Sequence, residues 1–229
     1  MFDVISTIMK PIEKIMTGLP GYLVVVLMMQ LLWWFGIHGP NVMGAVTSPF
    51  MTKMMAQNLA LYQSGEGVTA SGVFYTAGSQ NSIISGPFGA GWRCPTGSGI
   101  TMGLIIAVML FSKRDDFKAI AKLAIPCGIF NINEPIIFGI PMVMNALFAV
   151  TFFLTPIACV CCGYLVQSMG LCPLFVIDVP WTTPVGLFGF LASSGNIMGA
   201  ILQAVIILGV STLIYTPFVI ASNRQTEEA

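Results

Sequence analysis

One carboxylate stands in the middle of an apolar stretch broken by proline: Glu134, within Phe130-Asn131-Ile132-Asn133-Glu134-Pro135. An ionised acid in such surroundings is costly and by default points to function. The structural alternative is a carboxylate that closes the turn favoured by Pro135 and the two asparagines. His38, the only histidine, follows Trp33-Trp34-Phe35-Gly36-Ile37 and precedes Gly39-Pro40-Asn41. Its imidazole can both donate and accept hydrogen bonds, so it is either a ligand-binding group or an interfacial residue. Trp181, in Val179-Pro180-Trp181-Thr182-Thr183-Pro184, is either a platform for a flat apolar face, such as that of a sugar ring, or a residue of an interfacial aromatic belt, as Trp33 and Trp34 can be. Nearby Asp178 can mark the water boundary.

Other chemistries are not encoded. The chain carries no Gly-x-x-x-x-Gly-Lys-Ser/Thr phosphate loop, no serine elbow, no metal-ligand spacing and no series of buried carboxylates. No cofactor and no metal is expected. The six cysteines include three clustered in an apolar run, Cys159, Cys161 and Cys162, and read as small apolar filler. Formal net charge is zero and there is no basic arm, so no nucleic-acid partner is expected. The first sixteen residues carry Asp3 and Glu13 and do not read as a signal peptide.

The elements that must position these groups are membrane elements. Of 229 residues, 56% are hydrophobic and 8% charged, and mean hydropathy is +0.88. A soluble domain carries about 25% charged residues. No charge falls between Lys14 and Lys53, and only Glu134 and Asp178 fall between Lys122 and Arg224. Such stretches cannot form a water-facing surface, so lipid is the solvent for most of them. A helical span takes ~20 apolar residues. Four segments fit, near 19–37, 96–112, 142–169 and 197–221. Two more, near 123–141 and 172–195, are apolar but interrupted by proline and glycine. Broken backbone survives at membrane depth only where protein or a water-filled cavity covers it, and paired interrupted segments point to a transporter's binding site. Both read as re-entrant hairpins, with Glu134 and Trp181 at their tips. The fold class is therefore an all-α integral membrane protein of about four transmembrane helices plus two re-entrant hairpins.

Basic residues orient the path. Lys113, Arg114, Lys118 and Lys122 crowd one short loop, Lys10 and Lys14 precede the first span, and Arg224 follows the last. With all three groups on the cytoplasmic side, the first span leads out, the second returns, the third leads out and the fourth returns. The first hairpin then enters from the cytoplasm and the second from outside. The segment 39–95 is expected outside, with an interfacial helix near 51–62.

The run Ile125-Pro126-Cys127-Gly128-Ile129-Phe130-Asn131-Ile132-Asn133-Glu134-Pro135-Ile136-Ile137-Phe138-Gly139 resembles a motif of enzyme IIC, the membrane component of the lactose/cellobiose/diacetylchitobiose group of the bacterial sugar phosphotransferase system. Val179-Pro180-Trp181-Thr182-Thr183-Pro184, Gly36-Ile37-His38-Gly39-Pro40-Asn41-Val42 and Gly97-Ser98-Gly99-Ile100-Thr101 resemble three further elements of that family. The resemblance covers most of residues 20–221. It identifies the chain with the C-terminal, substrate-binding half of that family, as a single partial enzyme IIC membrane domain over residues 1–229.

The resemblance implies import of a disaccharide, of the cellobiose, diacetylchitobiose or lactose type, coupled to its phosphorylation. Phosphate would come from phosphoenolpyruvate through soluble carriers and a phosphorylated IIB partner, riding on that partner's cysteine. Glu134 and His38 would contact sugar hydroxyls, with Glu134 beside the hydroxyl that accepts phosphate. Trp33 and Trp181 would stack on sugar rings, Asn131 and Asn133 would support the tip, and Thr182 joins the substrate-binding set. The implied location is a bacterial cell membrane, multi-pass and lipid-bound, and the full-length family forms homodimers. The rival readings are an ion- or proton-coupled secondary transporter and a membrane fragment without function.

Overall fold

The computed structural model describes residues 15–65 and 82–227, and among these every regular element is helical. We number the helices in chain order: α1 (Leu19–Trp34), α2 (Gly39–Ser64), α3 (Gly86–Trp92), α4 (Met102–Phe111), α5 (Asp115–Ile129), α6 (Glu134–Gly139), α7 (Ala146–Ser168), α8 (Leu187–Ala192), α9 (Ile197–Ala204) and α10 (Ser211–Glu227). A π-helical stretch, Val205–Val210, joins α9 and α10.

Polarity is inverted relative to a soluble protein. Large apolar side chains point outward, among them Leu123 at 78% exposure, Leu213, Val205 and Ile197. Gln30, Gln167, Gln203, Thr151 and Thr155 are buried. This distribution suits a body bathed in lipid, where polar groups must find partners inside. Two helices are long and apolar enough to cross a bilayer, α7 and the continuous rod Ile197–Asn223.

The two broken segments are each interrupted within the structure. In the first, α5 ends at Ile129, the chain turns through Phe130–Asn133, and α6 returns from Glu134. In the second, an extended leg over 172–186 leads into α8, and the Val176 and Ile177 amides donate to the Ala192 carbonyl. Gln203 fixes this second segment from inside. Its carbonyl oxygen accepts from the Gly186 and Gly189 amides at 2.9 and 2.8 Å, and its amide donates to the Gly91 carbonyl at 2.9 Å.

Three expectations need correction. The segment 96–112 is helical only over the ten residues of α4, because residues 96–100 form a tight turn with Thr96, Gly97, Gly99 and Ile100 all at positive φ. In place of a short interfacial helix near 51–62, α2 runs for 26 residues. It starts where the His38 side chain accepts from the Asn41 amide and Pro40 occupies the first turn, a helix-start signal that the low apolar content of the segment obscures. The first and third spans do not run the same way. Trp34 meets Phe153 in the first third of α7, whereas Tyr22 and Val26 share a core cluster with Cys159 and Val160 further along it, so α1 and α7 are antiparallel.

The ends of the path are also tied together. The Lys113 amide donates to Asn223 Oδ1 at 2.8 Å, and Asn223 Nδ2 donates to the Phe111 carbonyl at 3.0 Å. The basic loop and the end of α10 therefore lie on one face. In that loop Arg114 chelates Asp116 at 2.6 and 3.2 Å, which holds the Asp116 carboxyl below the usual carboxylate range. Toward the opposite end, the Tyr62 hydroxyl meets that of Ser194 at 2.8 Å. Lys10, Lys14, the stretch 66–72 and the Arg224 side chain lie outside the described residues.

Single cysteines in a background without the native ones test this path. Cysteines at Thr17 and Gly65 should label with an impermeant reagent from one face, and cysteines at Lys113 and Asn223 from the other. Labelling of positions 17 and 113 from the same face would contradict the antiparallel course of α1 and α7.

Candidate functional site

A cavity of about 750 Å³ opens where the first hairpin tip, the 93–98 segment, the α1–α2 turn and Trp181 converge. The turn at residue 131 makes this convergence possible. Asn131 has φ +65°, a left-handed conformation that asparagine tolerates better than most residues. So placed, its side chain is 7% exposed and every bond it makes is to another segment. Oδ1 accepts from the Thr96 amide at 2.5 Å, and Nδ2 donates to the Thr183 carbonyl at 2.9 Å and to the Trp181 carbonyl. One amide thus joins the first tip, the second tip and the glycine turn.

Asn133 adds a second tie. Its Nδ2 donates to the Ser98 carbonyl at 2.5 Å, and it is 4% exposed. Gly97 is required beside it: a Cβ there would fall 2.2–2.6 Å from the Asn133 amide, and φ is +87°. From the far side, the Tyr215 hydroxyl donates to the Gly99 carbonyl at 2.8 Å. Thr96 and Ile100 are β-branched residues held at φ +62° and +53°, conformations that cost about 1–3 kcal/mol each and persist only where the surroundings impose them. The turn lining the cavity is therefore both strained and heavily bonded.

What these ties leave free defines the chemistry. With the asparagines closing the tip, the Glu134 carboxylate has no hydrogen bond or ion pair among the described residues, and it lines the cavity exposed. His38 also lines the cavity. Its Nδ1 accepts from the Asn41 amide at 3.3 Å, so Nε2 carries the hydrogen and is left as a donor. Trp33 lies against it, with ring centroids 4.8 Å apart, and its buried Nε1 has no partner. Trp181 is 61% exposed with its backbone carbonyl held by Asn131, so its indole is presented and anchored.

Arg93 was not anticipated from the motifs. It lines the cavity, and its guanidinium reaches the Met29 sulfur and Cys94 Sγ. Its Nε is buried without a partner, and no carboxylate pairs with it among the described residues. An uncompensated cation at membrane depth is as expensive as an uncompensated carboxylate. The signal was present in the sequence, because Arg93 is the only charged residue between Glu66 and Lys113. Of the residues singled out from sequence, Trp33, His38, Asn131, Asn133, Glu134 and Trp181 meet at this cavity. Thr182 is not among its lining residues, since the tip turns away after Trp181.

A helical body with an apolar exterior and a charged cavity between two broken segments is the layout of a membrane transporter's binding site. Comparison with known proteins makes the class specific. The family model described as "Phosphotransferase system, EIIC" matches residues 1–156. The cellobiose-specific EIIC component of Lactococcus lactis subsp. lactis (strain IL1403) is 35% identical, over 96% of this chain and 46% of the relative. The oligo-beta-mannoside-specific EIIC component of Bacillus subtilis (strain 168) is 33% identical, over 98% and 48%. The lactose-specific EIICB component of Staphylococcus aureus is 30% identical, over 94% and 36%. Among solved structures, the transporter ChbC, the IIC component from the N,N'-diacetylchitobiose-specific phosphotransferase system, superposes with a TM-score of 0.85 at 33% identity, over 96% of this chain and 48% of that one.

The chain belongs to the EIIC family of the sugar phosphotransferase system and is a membrane protein. It spans about half the length, or less, of the curated relatives it matches.

Trp181, exposed, and Trp34, half-buried, separate a binding role from a packing role. Trp34 packs on Phe35 and Phe153 at 5.3 and 6.5 Å and does not line the cavity. Aromatic contacts contribute about 0.5–1.5 kcal/mol beyond burial. On a reading of this cavity as a sugar site, Trp181→Ala is expected to weaken binding of a β-linked disaccharide several-fold in titration calorimetry, and Trp34→Ala to leave it nearly unchanged. Equal losses would count against Trp181 as a platform.

Proposed function

We propose that this chain forms the sugar-binding part of a phosphotransferase-system permease that imports a β-linked disaccharide and presents it for phosphorylation. The observation that carries the reading is a set of groups around one cavity with bonding capacity left open among the described residues: the Glu134 carboxylate, the His38 Nε2 donor and the Arg93 guanidinium, which has no carboxylate partner and whose Nε is unsatisfied. A cavity of 750 Å³ accommodates two pyranose rings with ordered water, and Trp33 and Trp181 supply apolar ring faces at its wall. Relatives named for cellobiose, oligo-β-mannoside and lactose support a substrate of this class.

In the proposed reaction a sugar hydroxyl attacks phosphorus on a phosphorylated cysteine of IIB. The O–P bond forms, the S–P bond breaks, and the cysteine leaves as thiolate. Glu134 orients the hydroxyl and takes its proton, His38 donates to a neighbouring hydroxyl, and Arg93 compensates the charge on the transferring group. The name of the S. aureus relative, an EIICB component, supports IIB as the partner. Phosphate rides on the partner, and no residue of this chain becomes phosphorylated.

The membrane path proposed with this function keeps the two hairpins and amends the spans. α1, α7 and the α9–α10 rod cross, and α4 completes its crossing with the 96–101 turn, whose irregular backbone is buried in protein. At ~1.5 Å per residue, α2 is also long enough to cross, and its return beside α1 makes a fifth crossing in place of the outside segment expected from sequence. The basic loop faces the cytoplasm. Residues 1–229 are read as a single partial enzyme IIC membrane domain, set in the plasma membrane of a bacterium.

Glu134→Gln is the sharpest test, because it keeps the side-chain shape and removes the basicity. Single-turnover transfer from phosphorylated IIB to bound disaccharide should fall by roughly 100- to 10,000-fold, with sugar affinity changed far less. Asp at this position should restore little, since one methylene fewer misplaces the carboxylate. A Gln variant that folds, binds and transfers at the parent rate would leave Glu134 without a catalytic part.

A further inference from the structure

Beside the main cavity lies a second chamber of about 260 Å³. The two share Pro40, Arg93, Cys94 and Trp181, so they meet along one wall. The smaller chamber is bounded by the N-terminal half of α2 and by the start of α3. Four hydroxyl side chains border it, Thr47, Ser48 and Thr52 from α2 and Ser85 just ahead of α3, beside Met29, Met51 and the shared Arg93.

Two features distinguish it from a packing defect. The first is Ser85, whose residue is 0% exposed and whose Oγ is buried with no hydrogen-bond partner. A buried hydroxyl left unpaired costs about 1–3 kcal/mol, and it borders the chamber. The second is space kept open by glycine. A Cβ on Gly44 would meet only the Ser48 hydroxyl, at 3.8 Å, and one on Gly86 nothing closer than 3.8 Å. Alanine in place of Gly44 would favour the α2 helix by about 0.5–1 kcal/mol, so glycine there is not explained by local stability.

We propose that this chamber is a third sugar subsite, taking one further pyranose unit of a β-linked oligosaccharide whose first two rings occupy the main cavity. The inference rests on the sugar-transport reading above. The chamber has about a third of the main cavity's volume, which suits one ring where the main cavity takes two with water. Its hydroxyls match a ring bearing hydroxyls on every side, whereas an acyl chain would leave Ser85 Oγ unpaired. Trp181 and Pro40 at the shared wall give the glycosidic link an apolar edge to pass over. The ring carrying the accepting hydroxyl stays at Glu134, and the third unit trails into the chamber.

The test is calorimetric binding to the full chain in detergent, with matched β-linked di- and trisaccharides of glucose, mannose and N-acetylglucosamine. In at least one series the trisaccharide should bind roughly tenfold tighter than the disaccharide. Gly44→Phe, which fills the chamber from α2, should abolish that margin and leave disaccharide affinity within about twofold. Ser85→Ala should reduce trisaccharide affinity alone, by several-fold, and serves on its own should Gly44→Phe not fold. Equal di- and trisaccharide affinities in every series that binds would overturn the subsite, as would a margin that survives the variants. Failure of every disaccharide to bind would instead overturn the sugar reading, and the subsite with it.

Discussion

The carboxamide of Asn131 ties its own tip to two segments 35 and about 50 residues away in sequence, and the geometry of the cavity follows from it. A re-entrant turn inside a membrane has backbone groups with no water to satisfy them. Here the tip spends one side chain on the Thr96 amide of the glycine turn and on the Trp181 and Thr183 carbonyls of the second tip. It does so from a left-handed backbone position that puts the amide within reach of both. Asn133 and Tyr215 extend the same arrangement by holding Ser98 and Gly99. Gln203 repeats the device on the second broken segment, so that both depend on buried side-chain amides.

This division of labour leaves the charged groups outside any ion pair among the described residues. A turn stabilised by its carboxylate would leave Glu134 unavailable. Because the asparagines satisfy the turn, Glu134 stands unpaired at the cavity wall, and Arg93 stands unpaired at the same wall. Two charges of opposite sign around one cavity, neither in an ion pair among the described residues, keep the net local charge low without neutralising either group. Such a site suits a neutral, hydroxyl-rich ligand and, at the moment of reaction, an anionic group in transfer.

Much of this was legible in the sequence, for identifiable reasons. Charge-free runs located α1, α7 and the final rod, and proline with glycine marked the two broken segments. Glu134 was conspicuous as one of two charges in about a hundred residues. The same rule of isolation applies to Arg93, which was passed over because no recognised motif framed it. The length of α2 was hidden by its modest apolar content, although Pro40 after a side chain able to cap the helix is a start signal. The ten-residue extent of α4 was masked by hydropathy that continues through residues 96–101, where positive φ values at Thr96 and Ile100 contradict local preference and are imposed by tertiary bonds. The antiparallel course of α1 and α7 is a matter of packing, and it runs against the parallel course that placing Lys10 and Lys14 on the same side as the basic loop predicts.

The central claim is that the cavity serves phosphorylation-coupled uptake, and the energy source tests it most directly. Uptake of a radiolabelled β-linked disaccharide is to be measured in vesicles bearing the full chain together with the soluble carriers and IIB. Phosphoenolpyruvate is supplied or withheld, and ionophores collapse proton and sodium gradients. The account predicts that phosphorylated sugar accumulates only with phosphoenolpyruvate and is indifferent to the ionophores. Accumulation of unmodified sugar without phosphoenolpyruvate, abolished by the ionophores, would contradict it and identify gradient-driven transport instead.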